Sequence, residues 1–478
     1  MRTTFHLKTL AVAIATLSVA SMTNAAGLDR SGQDVTAFFQ DGTYAEAVYT
    51  YIDADVSGYD SANDVPTNNT YVRGEKTGDI AESYDFFRYG VKADINDTFS
   101  VGILYDEPFG ASAEYTGDSN FVAQNDRDAT ITAISGGAIG PNSPLGVNSF
   151  AQAQGTVNAL QGILANGGTL TPQQQGALTA LAPAVAITQA EFDTAGDNTK
   201  VELRSESVTA LLGMKFGQNK NFQVYGGPVA QRIQADTALR GTAYGPATGY
   251  TSHMGPDTDY GYIAGIAYSK PEIALKAALT YRSEIDHDAK TFESYPAAPI
   301  LSAGALPANQ SGTIEVTTPK SVNFDFQTGI NPTTLATAKV RWVPWSDFVL
   351  TPPLYNAVSK SSGRYGDDGL NLVEYDDDQW QVELGLAKRV APALAISGTV
   401  GWDSGAGDPT TSLGPVEGYY SVGLGAKYNV TENWAVSAGG KYLWFGDAKG
   451  QLPTGKLVGD FQDNDGYIAG LKLSYQAK

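Results

Sequence analysis

The sequence predicts an all-β chain, a fourteen-stranded antiparallel transmembrane β-barrel whose N-terminus plugs the lumen. Three observations carry that reading. Segments of about ten residues alternate apolar and polar side chains, the length a tilted strand needs to cross a bilayer. The connections alternate between short polar turns and long loops. Aromatic residues collect near the strand ends on the apolar parity, where amphipathic rings meet a membrane interface.

The clearest pair of segments lies within 84–110. Phe87, Tyr89, Val91, Ala93 and Ile95 share one parity, and Arg88, Gly90, Lys92 and Asp94 the other. Asn96-Asp97 turns the chain, and Phe99, Val101, Ile103 and Tyr105 rise again. Two period-2 runs across a short polar turn form a hairpin. The apolar row suits lipid and the polar row a lumen. Residues 44–52 open the series. The alternation returns at 207–216, 222–233, 260–268, 273–281, 322–326, 336–342, 380–386, 394–402, 420–428, 434–438 and 467–475. Turns near Asn96, Gln218, Lys270, Asn331, Ala391 and Asn429 are short; the connections 53–83, 108–200, 234–258, 283–320, 344–378, 404–417 and 444–465 are long. An even strand count puts both chain ends on the short-turn, periplasmic side and the long loops outside the cell.

Composition agrees. The 478 residues hold no cysteine, 53 glycines and 26 tyrosines. Without cysteine there is neither a disulfide framework nor a thiolate metal site. No apolar run of eighteen or more residues follows the first thirty, which excludes a helical membrane protein. A net charge of −20 argues against nucleic acid as a partner. Arg2 and Lys8, an apolar stretch at 10–20 and the small-residue site Thr23-Asn24-Ala25 read as a signal peptide over 1–25. The mature chain is then expected to begin near Ala26, in the bacterial outer membrane. Residues 26–43 do not alternate, and Phe38-Phe39 stands out in them as an apolar plug.

Catalytic chemistry is poorly provided for. The mature chain's two histidines, His253 and His287, fall in expected extracellular loops, away from any Ser-His-Asp arrangement. No enzyme, cofactor or metal site is assigned. The acidic runs at 374–378 and 463–465 carry oxygen ligands of the kind calcium uses, but such runs are ordinarily solvated faces or bridges to lipopolysaccharide. Arg88, Lys92, Lys215, Lys276, Arg282, Lys339, Arg341 and Lys441 fall on the inward parity. They would either attract an anionic head group or pair with Asp94, Asp325 and Glu383. Leu104, Leu211 and Leu443 are also inward, which points to a hydrophobic ligand. In the 108–200 loop, Val157, Leu160 and Leu164 share a helical face with Ile163 beside it. Thr171 caps a helix begun by Pro172, and Pro183 should end or kink that helix. Leu160, Ile163, Leu164, Leu178, Leu181 and Val185 would form an exposed groove that collects the ligand.

The stretches AGLDRSGQ and NDTFSVGILYDEPFGA, with the fourteen-strand layout, resemble the FadL-type outer-membrane transporters of long-chain fatty acids and aromatic hydrocarbons. The resemblance covers the mature chain. It implies a hatch over 26–43 inside a barrel of 44–478, and an extracellular groove feeding a lumen pocket. It also implies a kinked third strand (98–107) that opens a lateral gap, here at Gly102, Pro108, Phe109 and Gly110. The expected activity is passive diffusion by a monomer. Its partner would be a long-chain fatty acid or another hydrophobic small molecule, whose carboxylate meets Arg30, Arg88 or Lys92 and whose tail meets Phe38 and Phe39. Outer-membrane lipid and lipopolysaccharide would surround it. The family's Asn-Pro-Ala hatch motif is absent, with Phe38-Phe39-Gln40 in that region, and no aromatic ends the chain. A general porin for small polar solutes and a surface adhesin or receptor are the alternatives.

Overall fold

Alternating side chains make the wall. The computed structural model describes residues 28–63, 69–144 and 146–477; the expected signal peptide over 1–25 lies outside them. Seventeen strand segments form one closed sheet, and three strands are each split in two, so fourteen strands cross the wall. They are β1 (Thr43–Asp55), β2 (Tyr84–Asp94), β3 (Phe99–Asp106 and Gly110–Glu114), β4 (Lys200–Phe216), β5 (Phe222–Ala238), β6 (Thr251–Lys270) and β7 (Leu275–Arg282 and Ile285–Ser294). The series continues with β8 (Asn309–Thr318 and Ser321–Asn331), β9 (Thr334–Val343), β10 (Gln379–Ala391), β11 (Leu394–Asp403), β12 (Glu417–Asn429), β13 (Trp434–Gly446) and β14 (Asp465–Ala477). Antiparallel pairing of β1 with both β14 and β2 closes the ring, so the wall has no free edge. Val91, Ile103, Leu384 and Leu424 are more than half exposed, whereas Arg88, Lys92 and Lys441 are buried. That inversion is what lipid outside a polar interior demands.

All six short turns lie where the sequence places them. Several long connections differ from expectation by carrying strands. Residues 283–320 contain the upper halves of β7 and β8, paired from Ile285 with Thr318 to Ser294 with Asn309. The outward row there is Asp286, Asp288 and Lys290, all exposed. Above the bilayer the outer face meets water, so the apolar signal vanishes while the ladder continues. For the same reason His253 and His287 lie in β6 and β7 and not in loops. Residues 53–83 contribute strands Ser57–Ser61 and Arg73–Asp79 to a small five-stranded sheet outside the barrel.

The long loops roof the extracellular mouth. Their core includes Tyr115 stacked on Phe121 with ring centroids 4.0 Å apart, together with Tyr244, Tyr250, Tyr355 and the fully buried Trp345. The loop after β3 carries helices α1 (Arg127–Ile134), α2 (Phe150–Ala165) and α3 (Pro172–Asp193). Thr171 caps α3 in a reciprocal capping box with Gln174. Pro183 does not end α3, which continues to Asp193. Leu181, Ala182, Ala184 and Val185 around it pack into a core with Ile131, Phe150 and Val157, and that packing outweighs the hydrogen bond Pro183 forgoes.

Candidate functional site

Inside the barrel, residues 28–42 cross the lumen. One flank of this segment is apolar. Thr36–Phe39 form a single 3-10 turn. Phe38 is buried, and it packs where the wall has no side chains. A Cβ on Gly102 would lie 2.7 Å from the Phe38 ring, one on Gly213 would lie 2.9 Å from it, and one on Gly90 would lie 2.9 Å from Ala37 Cβ. Three glycines on β2, β3 and β4 therefore carve a notch for Ala37 and Phe38. Phe39 meets Tyr225 edge-on at 5.1 Å, and Lys276 Nζ donates to the Phe39 carbonyl at 2.6 Å.

Gly102→Leu is expected to displace Phe38 from the notch. Overpacking of this kind costs about 1–3 kcal/mol, roughly tenfold faster amide exchange across 36–39 with the barrel's heat-resistant gel migration unchanged. Unaltered exchange would mean that the notch does not hold the segment.

The other flank is ionic. Arg341 Nε and Nη2 donate to the two carboxylate oxygens of Asp29 at 2.6 and 3.1 Å, and both side chains are buried. Arg341 Nη1 also reaches Asn323 at 2.8 Å and Gln33 at 3.2 Å. Asp34 meets Lys339 at 3.0 Å and Arg88 at 3.5 Å. Burial alone would raise the Asp34 carboxyl, but the Lys339 and Arg88 charges outweigh it and hold the group well below its ordinary 3.8. Its contribution is therefore complete above that ordinary value and is lost only as pH falls toward the depressed one. Lys92 pairs with Asp94 at 2.6 Å, and Lys441 pairs with Glu383. Of the two readings of the inward cations, the structure realises internal pairing for Arg88, Lys92, Lys339, Arg341 and Lys441.

At the third strand the wall is interrupted. Pairing of β2 with β3 runs from Asp94/Ser100 to Tyr89/Tyr105 and stops. Residues 107–109 leave the strand, and Gly110 resumes it against β4. Leu28–Arg30 take the vacant place: Arg30 N–H donates to the Pro108 carbonyl at 2.8 Å, and Gly110 N–H donates to the Leu28 carbonyl at 2.8 Å. Glu107 bridges the break from the other side, accepting the Tyr84 hydroxyl at 3.1 Å and Phe87 N–H at 3.3 Å. Phe109 is buried edge-on against Trp345 at 5.6 Å.

Cavities lie on both sides of the crossing segment. The upper is lined mainly by apolar residues, among them Ile52, Val56, Ile80, Ala113 and Phe445, with Tyr84 beside them. Arg30 and Glu82 are its charged residues. The lower faces the short-turn end and is lined by Phe39, Gln40, Lys276, Asp325, Lys339 and Glu383 among others. Sequence reasoning groups Arg30 with Arg88 and Lys92, but only Arg30 lines the upper cavity. The expected exposed groove is corrected: Leu160, Leu181 and Val185 are buried, Leu178 is half-buried, and only Ile163 and Leu164 are exposed. Helices α2 and α3 spend their apolar stripes on a shared core. The buried Asp29–Arg341 pair went unrecognised, because parity places Arg341 in the lumen without naming its partner 312 residues away.

A sequence profile described as "Outer membrane protein transport protein (OMPP1/FadL/TodX)" matches residues 18–476. The chain belongs to this family. The FadL/TodX chain described here lies in the outer membrane, transports hydrophobic compounds and is not an enzyme. Its fold is similar to that of a Pseudomonas aeruginosa FadL homologue, with TM-score 0.61 and 14% identity over 96% of this chain and 97% of that one. It is also similar to the Pseudomonas putida toluene transporter TodX, with TM-score 0.52 and 10% identity over 96% and 97%. No curated protein matches the sequence.

Proposed function

We propose that this FadL/TodX-family protein admits long-chain fatty acids by passive diffusion, with residues 26–43 as its hatch. The observation that carries the substrate class is the upper cavity: an apolar chamber with one basic side chain, Arg30, contributed by the hatch itself. Burial strips the Arg30 guanidinium of water and lowers its pKa from the ordinary value, and a carboxylate would complement the charge it carries. The guanidinium lies over the Tyr84 ring at 5.2 Å, which orients it beside the break in β3. Phe38 and Phe39 lie further along the same segment, where an alkyl tail would follow. An aromatic hydrocarbon has no carboxylate to pair with Arg30.

Binding of radiolabelled oleate and of toluene to the detergent-purified protein tests the assignment. A charge-assisted hydrogen bond is worth about 1.5–3 kcal/mol, so Arg30→Ala should weaken oleate binding about 10- to 100-fold and leave toluene unaffected. Toluene bound in preference to oleate, with no effect of Arg30→Ala, overturns the fatty-acid reading and leaves hydrophobic transport intact.

A further inference from the structure

The wall has a second irregularity, away from β3. Strands β6 and β7 pair over 263–270 with 275–282, and again over 251–254 with 291–294. Between these runs the ladder lapses, apart from one bond from Ser283 N–H to the Tyr262 carbonyl at 2.9 Å. The inward-facing residues give the reason. In β7 the inward row passes from Arg282 to Ile285, His287 and Ala289, so it changes parity near Ser283. In β6 it passes from Met254 to Asp257, Asp259 and Ile263, so it changes parity near Pro256. The register of β5 with β6 shifts at the same level. The two strands switch faces at opposite ends of one stretch, and over that stretch they are out of phase. Pro256 also has no N–H to offer.

Asp257, Asp259 and His287 meet in this seam. One carboxylate oxygen from each aspartate and one imidazole nitrogen all lie within 4.8 Å of one another. His287 is fully buried. Its Nε2 stands 3.2 Å from Gln231 Oε1, and that oxygen also accepts the Thr318 hydroxyl at 2.6 Å. An amide oxygen only accepts, so Nε2 carries the proton. The neutral ring then turns the Nδ1 lone pair toward Asp257 Oδ2, 3.2 Å away, which sets two acceptors in contact. A proton on Nδ1 would answer Asp257 alone. Asp259 pairs with no lysine or arginine among the described residues, and Asp286 and Asp288 add negative charge on the outer row.

We propose that Asp257, Asp259 and His287 hold a divalent transition-metal ion with the ligand preferences of zinc, clasping β6 to β7 where main-chain pairing lapses. One imidazole and two carboxylates are a donor set for such an ion, whereas calcium takes oxygen alone. Ligands at about 2.1 Å from a tetrahedral zinc stand about 3.4 Å apart, close to the separation of Nδ1 and Oδ2. Gln231 and Thr318 fix the ring's tautomer and aim, as partners of a metal-bound histidine do. The site stands on the extracellular side of the Tyr262–Tyr281 aromatic pair.

The full chain, purified in detergent and stripped with a chelator, is titrated with Zn²⁺ against a chromophoric zinc indicator. One ion per chain is expected. Asp257→Asn with Asp259→Asn, and separately His287→Gln, should each weaken binding at least about tenfold, and Gln231→Leu about tenfold through the ring's orientation. His253→Gln should leave affinity unchanged, because its exposed pair with Asp236 lies elsewhere on the wall. Heat-modifiable gel migration establishes that each variant is folded; if one is not, the wild-type titration and the Gln231 variant decide. No stoichiometric zinc on the wild type, undiminished zinc on a folded Asp257/Asp259 variant, or Ca²⁺ bound as tightly as Zn²⁺ overturns the site.

Discussion

Deleting residues 28–42 turns a quiet barrel into a conducting one. The segment separates a cavity on the extracellular side from one on the periplasmic side. It is gripped on one side by the glycine notch of β2–β4 and on the other by Arg341 and Lys339 of β9. Ring closure does not depend on it, because β1 pairs with β14 and β2 directly. The deleted protein should therefore insert and keep its heat-resistant migration while its bore fills with water. In planar bilayers its steady conductance should exceed that of the intact chain by about an order of magnitude, as expected of a lumen this wide without a plug. Equal conductance of the two would favour a general porin, in which the segment leaves an open path beside it.

The second large effect is expected from Arg341→Ala. The substitution leaves Asp29 buried, with Gln381 Nε2 at 3.4 Å as its remaining side-chain donor. Breaking a buried pair by removing one partner costs about 3–5 kcal/mol. Asp29 sits on a short segment outside the barrel wall, so the cost should appear as release of that segment and not as loss of the barrel. The readouts are intermittent conductance and about a hundredfold or greater rise in amide exchange over 29–34. Asp29→Leu combined with Arg341→Met should recover most of the protection, since an apolar pair of similar volume removes the stranded charge. Exchange that is equally fast in the single and double variants would show that the pair does not anchor the segment.

The sequence made the membrane-embedded wall legible wherever one row had to face lipid and the other the lumen. Val91, Ile103 and Leu384 on the outside, and Arg88, Lys92 and Leu104 on the inside, follow from parity alone. The reading failed where that contrast lapses. Residues 285–294 and 309–318 continue the ladder with a solvated outer row, and the alternation of charged with polar residues carries no direction. At the candidate site, Phe38 and Phe39 stood out as apolar residues in a polar stretch. Their seat did not, because glycines at 90, 102 and 213 acquire meaning only once three strands lie side by side. The groove misled for another reason. An apolar stripe on a helix looks the same whether it awaits a ligand or a second helix, and α2 and α3 took each other.

The reach of the Asp29–Arg341 contact bears on how the molecule is made. Those two residues stand 312 positions apart, and Asp34 is 305 positions from Lys339. Contacts so distant along the chain form only after the intervening polypeptide has been laid down. The segment around Asp29 and Asp34 is thus synthesised long before β9 and is among the last parts to find its anchors. Until β9 is in place, the crossing segment lacks its contacts with Arg341 and Lys339, so the stopper is set only once most of the wall exists.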